Sequence, residues 1–371
     1  MKEFQNEYKK KETDFTRNRK LTFEMVFCLI MMKSVKKAYN VIRELMLEKK
    51  EETVSGSAIN QARNKFKHEA FIKLNEEIIP MYYEEKEELK KWKGYFVTAV
   101  DGSSITMGYH KSLLSLFFFN KNNSVQEIKG RATIYYDVLN EIIIDSNLVN
   151  PKIGERELLF NHLEKDKAKL GEKQLIIMDR GYSGYPVFKK LMEQNKIFVI
   201  RMQKGSKLVS EFLQSDEVDK TVEMFSSERK IKEGIKIRLL KIRLSTGEDE
   251  ILATNLYDKS ITLDDFKELY FLRWGIETKY GLLKERLDLE NFSGKSLEII
   301  KQDFYSSVFI SNLEVILTED ANEEIKKRSI QKNNKYIYKV AKSTSYSIIK
   351  DKVWELFFDD SLNIDDQIGR A

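Results

Sequence analysis

Apolar residues recur every three or four positions between residues 264 and 294, and this period predicts one long amphipathic helix. The apolar stripe is formed by Leu269, Leu272, Ile276, Tyr280, Leu283 and Leu287. A polar stripe runs along its margin and contains Tyr270, Arg273, Glu277 and Lys284. Their spacing brings these four side chains to one face of a helix. The pattern therefore predicts a carboxylate held between two cations and a phenol.

The spacing of Arg273 and Glu277 has two interpretations. It is that of an ordinary surface ion pair, which stabilises a helix by about 0.2–0.5 kcal/mol. A carboxylate in this position can also ligate a metal ion, while the neighbouring cations hold phosphate groups. The pattern of this helix alone does not distinguish the two interpretations, so they have to be distinguished by other parts of the sequence.

Upstream of this helix the hydrophobic pattern changes to that of strands. Apolar β-type runs occupy residues 94–101, 131–139, 141–148, 174–179 and 197–202, with helical periods at 155–170 and before 195. The second and third runs predict a hairpin around Asn140. This order predicts an α/β fold with a mixed sheet. Two runs end in an aspartate, Asp101 and Asp179, and ligand sites gather at the carboxyl ends of strands in such sheets.

A different segment, residues 205–255, interrupts the predicted core. Alternating runs at 235–244 and 250–255 predict a hairpin, and strand-like pieces at 208–213 and 222–225 add to it. One strand carries four cations, Lys236, Arg238, Lys241 and Arg243. They form either a solvated strand face or a DNA-facing plate, and a bulge near residues 239–240 would be needed to turn all four outward.

The two ends of the chain read as helical. In residues 1–93 helical periods occur at 21–32, 35–47, 57–67 and 70–79, and after an apolar helix at 299–317 two more are predicted at 325–342 and 346–358. Residues 54–71 suit a helix-turn-helix-like unit that binds the DNA backbone. Its polar side chains are Gln61, Arg63, Lys65 and Lys67. A helical bundle with solvated charges is the alternative.

Composition narrows the class of protein. The 371 residues are 42% hydrophobic and 33% charged, with a net charge of +5, which is typical of a globular protein. The first fifty residues hold 13 Lys and Arg against 7 Asp and Glu, which suggests an anionic partner near the N-terminus, and residues 15–20 are the most concentrated basic stretch. The single cysteine, Cys28, excludes internal disulfides and reads as a core thiol. With no signal peptide or membrane span in the pattern, the expected location is the cytoplasm.

Three acids stand out together: Asp101, Asp179 and Glu277, separated by 78 and 98 residues. An aspartate at a strand end is usually a turn former or a helix cap. Carboxylates that a sheet brings together can instead bind hard divalent cations through oxygen. Two such ions activate an attacking oxygen and stabilise the leaving oxygen in phosphoryl transfer. The set of three, with the cations around Glu277, favours that chemistry.

Three blocks of the chain resemble the DDE transposases of the insertion-sequence-four family, which move bacterial insertion sequences by cut and paste. The blocks are VTAVDGSSI around Asp101, IIMDRGY around Asp179, and a Y-x2-R-x3-E-x6-K signature. The signature is met by Tyr270, Arg273, Glu277 and Lys284. The resemblance covers roughly residues 15–320, and the signature is its most specific part.

The resemblance implies an RNase H-like mixed-sheet core at residues 94–204 and 256–320, interrupted by the β insertion at 205–255. A helical DNA-binding region at 1–93 and a helical C-terminal region at 321–371 would flank it. The implied activity is that of a Mg²⁺-dependent DNA transposase. It would cleave the terminal inverted repeats and join their 3′-hydroxyl ends to target DNA, as a homodimer in the paired-end complex.

The resemblance also assigns roles to single residues. Asp101, Asp179 and Glu277 would hold two Mg²⁺ ions, for which Mn²⁺ can substitute. The two cations of the signature, Arg273 and Lys284, would grip backbone phosphates, and Tyr270 would donate a hydrogen bond to one. Two alternatives remain open at this point: a metal-dependent nuclease of the same fold without strand transfer, and a transposase-derived DNA-binding protein with an inactive core.

One feature departs from the family pattern. Relatives cut the second strand through a DNA hairpin, with a flipped base stacked on an aromatic residue. The β insertion contains no tryptophan, since the three in the chain are Trp92, Trp274 and Trp354. Aromatic candidates in or beside the insertion are Phe212, Phe225 and Tyr257, and Trp274 is expected to pack in the core.

Overall fold

The computed structural model describes residues 2–17, 20–32, 54–86, 88–114, 116–122, 125–165, 170, 173–227, 233–244, 247–332, 335–336 and 338–358. The helix predicted at 35–47 lies outside these described residues, as do Asn18 and Arg19 of the basic stretch.

In the described part of the chain nine strands form one mixed sheet. They are β1 (Phe96–Met107), β2 (Phe118–Asn122), β3 (Val125–Asp137), β4 (Ile142–Val149), β5 (Gln174–Met178), β6 (Ile197–Arg201), β7 (Asp219–Phe225), β8 (Gly234–Arg243) and β9 (Asp249–Thr254). The order is β2-β3-β1-β5-β6-β9-β8-β7, and β4 pairs with β3 on the edge that also pairs with β2, opposite β1. Strands β1, β5 and β6 run parallel, and the remaining pairs are antiparallel. This confirms the predicted α/β fold with a mixed sheet.

Twelve helices of the described residues surround the sheet. They are α1 (Lys2–Tyr8), α2 (Phe23–Met32), α3 (Gly56–Arg63), α4 (Glu69–Glu85), α5 (Glu155–Lys165), α6 (Tyr185–Glu193), α7 (Lys207–Gln214), α8 (Leu263–Phe271), α9 (Trp274–Arg286), α10 (Leu297–Gln331), α11 (Lys342–Asp351) and α12 (Val353–Phe358). The apolar helix predicted at 299–317 is the first part of the much longer α10. The helix predicted at 325–342 is wrong, because α10 ends at Gln331 and a new helix begins at Lys342.

Alternating side chains of the strands build two cores, one on each face of the sheet. One core contains Val97 and Ala99 of β1 and packs against α2, α9 and α10. The opposite core contains Phe96 and Val100 and packs against α5, α6 and α7. Cys28 lies buried in the first core, as expected, and burial raises the pKa of its thiol. The strands are therefore covered from both sides, and their ends are left for a site.

Strands of the insertion extend the core sheet, since β9 pairs antiparallel with β6. The strand-like piece predicted at 208–213 is wrong, because these residues form α7. Ser206 caps this helix by accepting a hydrogen bond from the Val209 amide. The apolar residues Val209 and Phe212 stand three apart on its buried side. In so short an apolar run, a helical period is not distinguished from a strand-like one.

Two cations of β8 do not reach a surface where DNA could lie. Arg238 is 2% exposed and holds both carboxylate oxygens of Asp219 at 2.9 Å. Lys241 donates to the carbonyl oxygens of Leu213 and Ser215. The register of β8 with both neighbours is continuous, so the bulge near residues 239–240 is absent from this pairing. The interpretation of all four cations as an outward plate is wrong.

Two basic side chains of residues 54–71, Arg63 and Lys67, are also held by contacts within the protein. Arg63 is buried, with its Nη2 2.6 Å from Asp303 Oδ1 on α10 and its Nε 3.1 Å from Gln302 Oε1. Lys67 donates to the Glu7 carbonyl oxygen at 2.8 Å. Arg63 is therefore not available to a DNA backbone, and it joins α3 to the long helix beside the sheet.

Candidate active site

The continuous helix predicted for residues 264–294 is interrupted, and this is where the signature lies. The amide of Arg273 bonds to the Tyr270 carbonyl, and the amide of Ile276 to the Arg273 carbonyl. These i→i+3 bonds tighten the chain for one turn between α8 and α9. The second helix ends at Arg286, because Asp288 adopts φ 51° and the Leu289 amide closes back on Leu283. The predicted apolar stripe is nevertheless on the buried side, with only Leu272 partly exposed.

Asp101 and Asp179 follow corresponding positions of two adjacent parallel strands, but only Asp179 lies at a strand end. Strand β1 continues past Asp101 to Met107, so the strand end predicted at Asp101 is wrong. The register of β1 with β5 pairs Ala99 with Ile177, and two further residues along each strand lead to the two aspartates. Neighbouring strands are separated by about 4.8 Å. Asp101 has the parity of Val97 and Ala99, so its side chain points to the face covered by α9.

Glu277 reaches the same region of the sheet from α9. Tyr280, one turn further along this helix, donates its hydroxyl to the carbonyl oxygens of Asp101 at 3.0 Å and Ala132 at 3.1 Å. Residues three apart in a helix share a face. The Tyr280 bonds therefore fix the helix on β1 with Glu277 beside Asp101.

Arg273 connects this carboxylate with the second aspartate. Its Nη1 lies 2.7 Å from Glu277 Oε1, and the charge of Asp179 also acts on it. Among the described residues its buried Nε has no hydrogen-bond partner. The Tyr270 hydroxyl is buried and makes a long bond of 3.5 Å to the Met178 carbonyl, immediately before Asp179. Both side chains of the signature thus converge on the end of β5.

Lys284 lies two helical turns beyond Glu277 on the same face of α9. Its Nζ donates to the Ser104 carbonyl at 3.2 Å and stands 3.5 Å from Glu290 Oε1. Ser104 belongs to the half of β1 beyond Asp101. The cation therefore extends the positive rim of the site along that strand.

The electrostatics of the site penalise charge on Asp101. Burial raises the pKa of its carboxyl to about 6, and the carboxylates of Glu155 and Glu277 add to the rise. The amide of Gly102, 2.8 Å from Oδ1, and the Arg273 charge act in the opposite direction. Among the described residues no three of these carboxylates place ligand atoms within 4.8 Å of one another, so a bound cation would have to draw them together.

Two residues near the aspartates were missed by the sequence interpretation. Glu155 opens α5 and acts electrostatically on Asp101, and Tyr182 lies in the 3₁₀ turn that follows Asp179. An acid in the first turn of a helix is usually explained by its favourable interaction with the helix dipole. The only signal in the sequence was the position of Glu155 just after the hairpin strands, which is too weak to single it out.

Trp274 does not pack in the core as expected. It is 55% exposed, and its neighbour across the turn, Phe271, is 72% exposed. The Arg273 guanidinium stands 5.1 Å from the centre of the Trp274 ring. The tight turn between α8 and α9 thus presents two aromatic side chains to the outside, and one of them, Trp274, lies beside Arg273.

The sequence also matches a known family. The family model of the transposase DDE domain matches residues 92–313. This chain is therefore a member of the DDE transposase family. The match covers the strands that carry Asp101 and Asp179 and both helices of the signature.

Solved structures that match include the piggyBac transposase in a cryo-EM structure of its synaptic complex with hairpin DNA. The match has a TM-score of 0.49 and 10% sequence identity, and it covers 95% of this chain and 78% of that one. No curated protein matches the sequence. Membership in the family rests on the family model. Among the described residues no helix is long and apolar enough to cross a bilayer.

Proposed function

We propose that this protein is a DNA transposase of the insertion-sequence-four type, which cleaves the ends of its element and joins them to target DNA. The observation that carries the proposal is the parallel register of β1 and β5, which sets Asp101 beside Asp179. Tyr280, three residues beyond Glu277 on α9, donates to the Asp101 carbonyl, which supports a position of Glu277 on the same side of β1. Three carboxylates in one region of the fold, on a family match to transposases, support phosphoryl transfer.

The residues present fit divalent cations. Their donors are carboxylate oxygens, which are the ligands that Mg²⁺ and Mn²⁺ prefer. The raised pKa of Asp101 reflects negative charge that a cation would neutralise. Asp101, Asp179 and Glu277 would hold two ions. When bound, such ions activate the attacking oxygen and stabilise the leaving oxygen.

The other side chains would position DNA. Arg273 presents a charged guanidinium beside Glu277, and this charge would attract a backbone phosphate. Lys284 would hold a second phosphate along β1. Water would attack the scissile phosphorus and the 3′ oxygen would leave with a proton; that 3′-hydroxyl would then attack a target phosphorus and displace its 3′ oxygen. Two copies of the chain would hold the two ends of the element.

Cleavage of DNA that carries the inverted repeats flanking the gene tests this proposal. We expect nicking in Mg²⁺ or Mn²⁺ by the wild-type protein and by Glu285→Gln, which alters an exposed acid of the same helix. Glu277→Gln, Asp101→Asn and Asp179→Asn should abolish nicking and leave binding to the ends largely intact. Nicking by purified Glu277→Gln would overturn the site assignment.

Strand transfer is tested separately. Precleaved ends with free 3′-hydroxyls are mixed with a supercoiled target plasmid, and joined products are expected only with the three acids present. Cleavage without joining would favour the nuclease without strand transfer. End binding with neither reaction, in Mg²⁺ or Mn²⁺, would favour a DNA-binding protein with an inactive core.

A further inference from the structure

A fourth carboxylate stands beside the aspartates of the proposed site. Glu155 Oε1 is 3.4 Å from the position that a Cβ on Gly102 would occupy, and Oε2 is 3.6 Å from the corresponding position on Gly181. Gly102 directly follows Asp101, and Gly181 lies two residues after Asp179. The carboxylate therefore lies across β1 just past Asp101 and the 3₁₀ turn just past Asp179.

Glu155 approaches from the face opposite to Glu277. Helix α5 belongs to the core that contains Val100 and Met178, whereas α9 belongs to the core of Ala99 and Ile177. A side chain at Gly102 or Gly181 would stand between the Glu155 carboxylate and the aspartates. Because both positions are glycine, the aspartates are accessible from both faces of the sheet.

The position of Glu155 is fixed by its neighbour in the chain. Arg156 donates from Nε to the Gly181 carbonyl at 3.2 Å and from Nη2 to the Ser183 carbonyl at 2.7 Å. These bonds dock the first turn of α5 on the turn that follows Asp179. The ion pair of Glu155 itself, with Arg131 Nη2, is long at 3.8 Å. The Glu155 carboxylate is thus held in a fixed position, but its negative charge is only weakly compensated.

An independent observation indicates that a ligand belongs here. Tyr182 is 1% exposed, and its buried hydroxyl has no hydrogen-bond partner among the described residues. Beyond burial itself, the acids that act on this hydroxyl are Glu155, Asp101 and Asp179. A buried donor without an acceptor costs about 1–3 kcal/mol, and such groups usually meet a water or an ion-linked oxygen that the protein atoms do not supply.

We propose that Glu155 is a fourth carboxylate ligand of the divalent cations, reaching them between Gly102 and Gly181, and that Tyr182 donates its hydroxyl to an oxygen held in the same cluster. This rests on the proposed function, because the cations are those of the phosphoryl-transfer site. The ligand set then closes around the aspartates from both faces of the sheet, with Glu277 on one side and Glu155 on the other.

Binding of Mn²⁺ to the full-length protein tests the assignment without relying on activity. The loss of the free Mn²⁺ signal in electron paramagnetic resonance gives the affinity for wild type, Glu155→Gln and Glu157→Gln. Glu157 is exposed in the same helical turn and serves as the matched control. We expect Glu155→Gln to weaken Mn²⁺ binding about 10-fold or more, and Glu157→Gln to leave it unchanged. The Mg²⁺ concentration for half-maximal nicking should rise in parallel.

Two further variants keep the result interpretable. Glu155→Asp retains the charge and should lie between wild type and Glu155→Gln, which covers the case that the glutamine variant folds poorly. Tyr182→Phe removes only an unpartnered hydroxyl, so the melting temperature should not fall while nicking slows by about 10-fold. Unchanged nicking in Tyr182→Phe would remove Tyr182 from the site.

The outcomes separate this inference from the proposed function. Loss of Mn²⁺ affinity in Glu277→Gln but not in Glu155→Gln would overturn the role of Glu155 and keep the three-acid site. Slower nicking by Glu155→Gln with unchanged Mn²⁺ affinity would also overturn it, since the residue would then act only on the turns. If neither variant changed Mn²⁺ binding, the proposed site itself would be wrong.

Discussion

Arg273 Nη1 lies 2.7 Å from Glu277 Oε1, and the arginine side chain is buried while the glutamate stays partly open. An ordinary surface pair at this spacing would leave both side chains in solvent. Here the hydrogen bond to Glu277 offsets the burial of Arg273, and the pKa of the guanidinium is raised. The pair is therefore preorganised at the proposed site, with one donor nitrogen still without a partner.

Replacement of Arg273 should weaken DNA binding in a way that depends on salt. We expect Arg273→Ala to lower affinity for element ends and to reduce the slope of log affinity against log salt by about 0.9, the value for one phosphate. Arg273→Lys should not restore nicking, because an ammonium cannot replace the planar fork. Fluorescence anisotropy over a salt series measures the slope.

The control for this series is Arg328→Ala, which removes a cation paired with Glu324 on the exposed surface of α10. Its slope should equal that of the wild type. A wild-type slope for Arg273→Ala would place Arg273 outside the DNA interface.

The parts of the site that could be predicted from sequence are those fixed by local periodicity. The apolar run ending in Asp179 indicated the end of β5, and the spacing of Glu277 and Lys284 indicated one face of α9. Strand parity then determines which side the aspartates face. Such features depend on residues close in the chain, so the pattern carries them.

Other features depend on contacts between distant segments. The helix breaks at Leu272–Arg273 while both residues keep right-handed helical dihedrals, so neither composition nor period indicates the break. Arg63 and Arg238 look like surface cations until Asp303 and Asp219 are placed beside them. Glu155 becomes relevant only because Arg156 docks its helix on a turn 25 residues later. Sequence patterns do not indicate these contacts between distant segments.

The raised pKa of Asp101 predicts that this carboxylate destabilises the metal-free protein. Its pKa of about 6 exceeds the ordinary value of 3.8, so the folded state binds more protons than the unfolded state between these values. Stability is then lost as the pH rises through 6. We expect Asp101→Asn to raise the free energy of unfolding by at most about 3 kcal/mol at pH 8 in EDTA, and by almost nothing at pH 4.

Chemical denaturation at the two pH values measures this difference. Addition of Mg²⁺ should stabilise the wild type more than Asp101→Asn, because only the former keeps the full ligand set. If Asp101→Asn were less stable than the wild type at pH 8 in EDTA, this would contradict the conclusion that the buried charge of Asp101 destabilises the metal-free protein.

The buried pair of Arg63 and Asp303 should hold the N-terminal helices against α10. Asp303 also accepts from the Ser293 amide and hydroxyl at 2.7 Å, so the network joins three segments. We expect Arg63→Ala to lower the free energy of unfolding by about 3–5 kcal/mol, because it leaves a buried carboxylate without its cation. Denaturant titration measures the change, and a double replacement with Met and Leu should cost less than the sum of the single ones.

Lys73→Met is the comparison for that experiment, since it removes an exposed i,i+4 pair with Glu77 on α4. Its effect should stay within about 0.5 kcal/mol. An equally small effect of Arg63→Ala would show that the buried network does not stabilise the fold.

The exposed ring of Trp274 predicts where an unstacked base would be held. Phe212 is buried in the insertion, whereas Trp274 stands beside Arg273 at the site, so a base displaced next to the scissile phosphate would meet Trp274. Stacking on an aromatic ring contributes about 1–3 kcal/mol per base. Trp274→Ala should therefore slow second-strand cleavage about 5- to 150-fold and abolish the fluorescence change of 2-aminopurine placed beside the cleavage position. Phe225→Ala, which removes a comparably exposed ring from the insertion, should leave both unchanged; the reverse result would assign base stacking to the insertion.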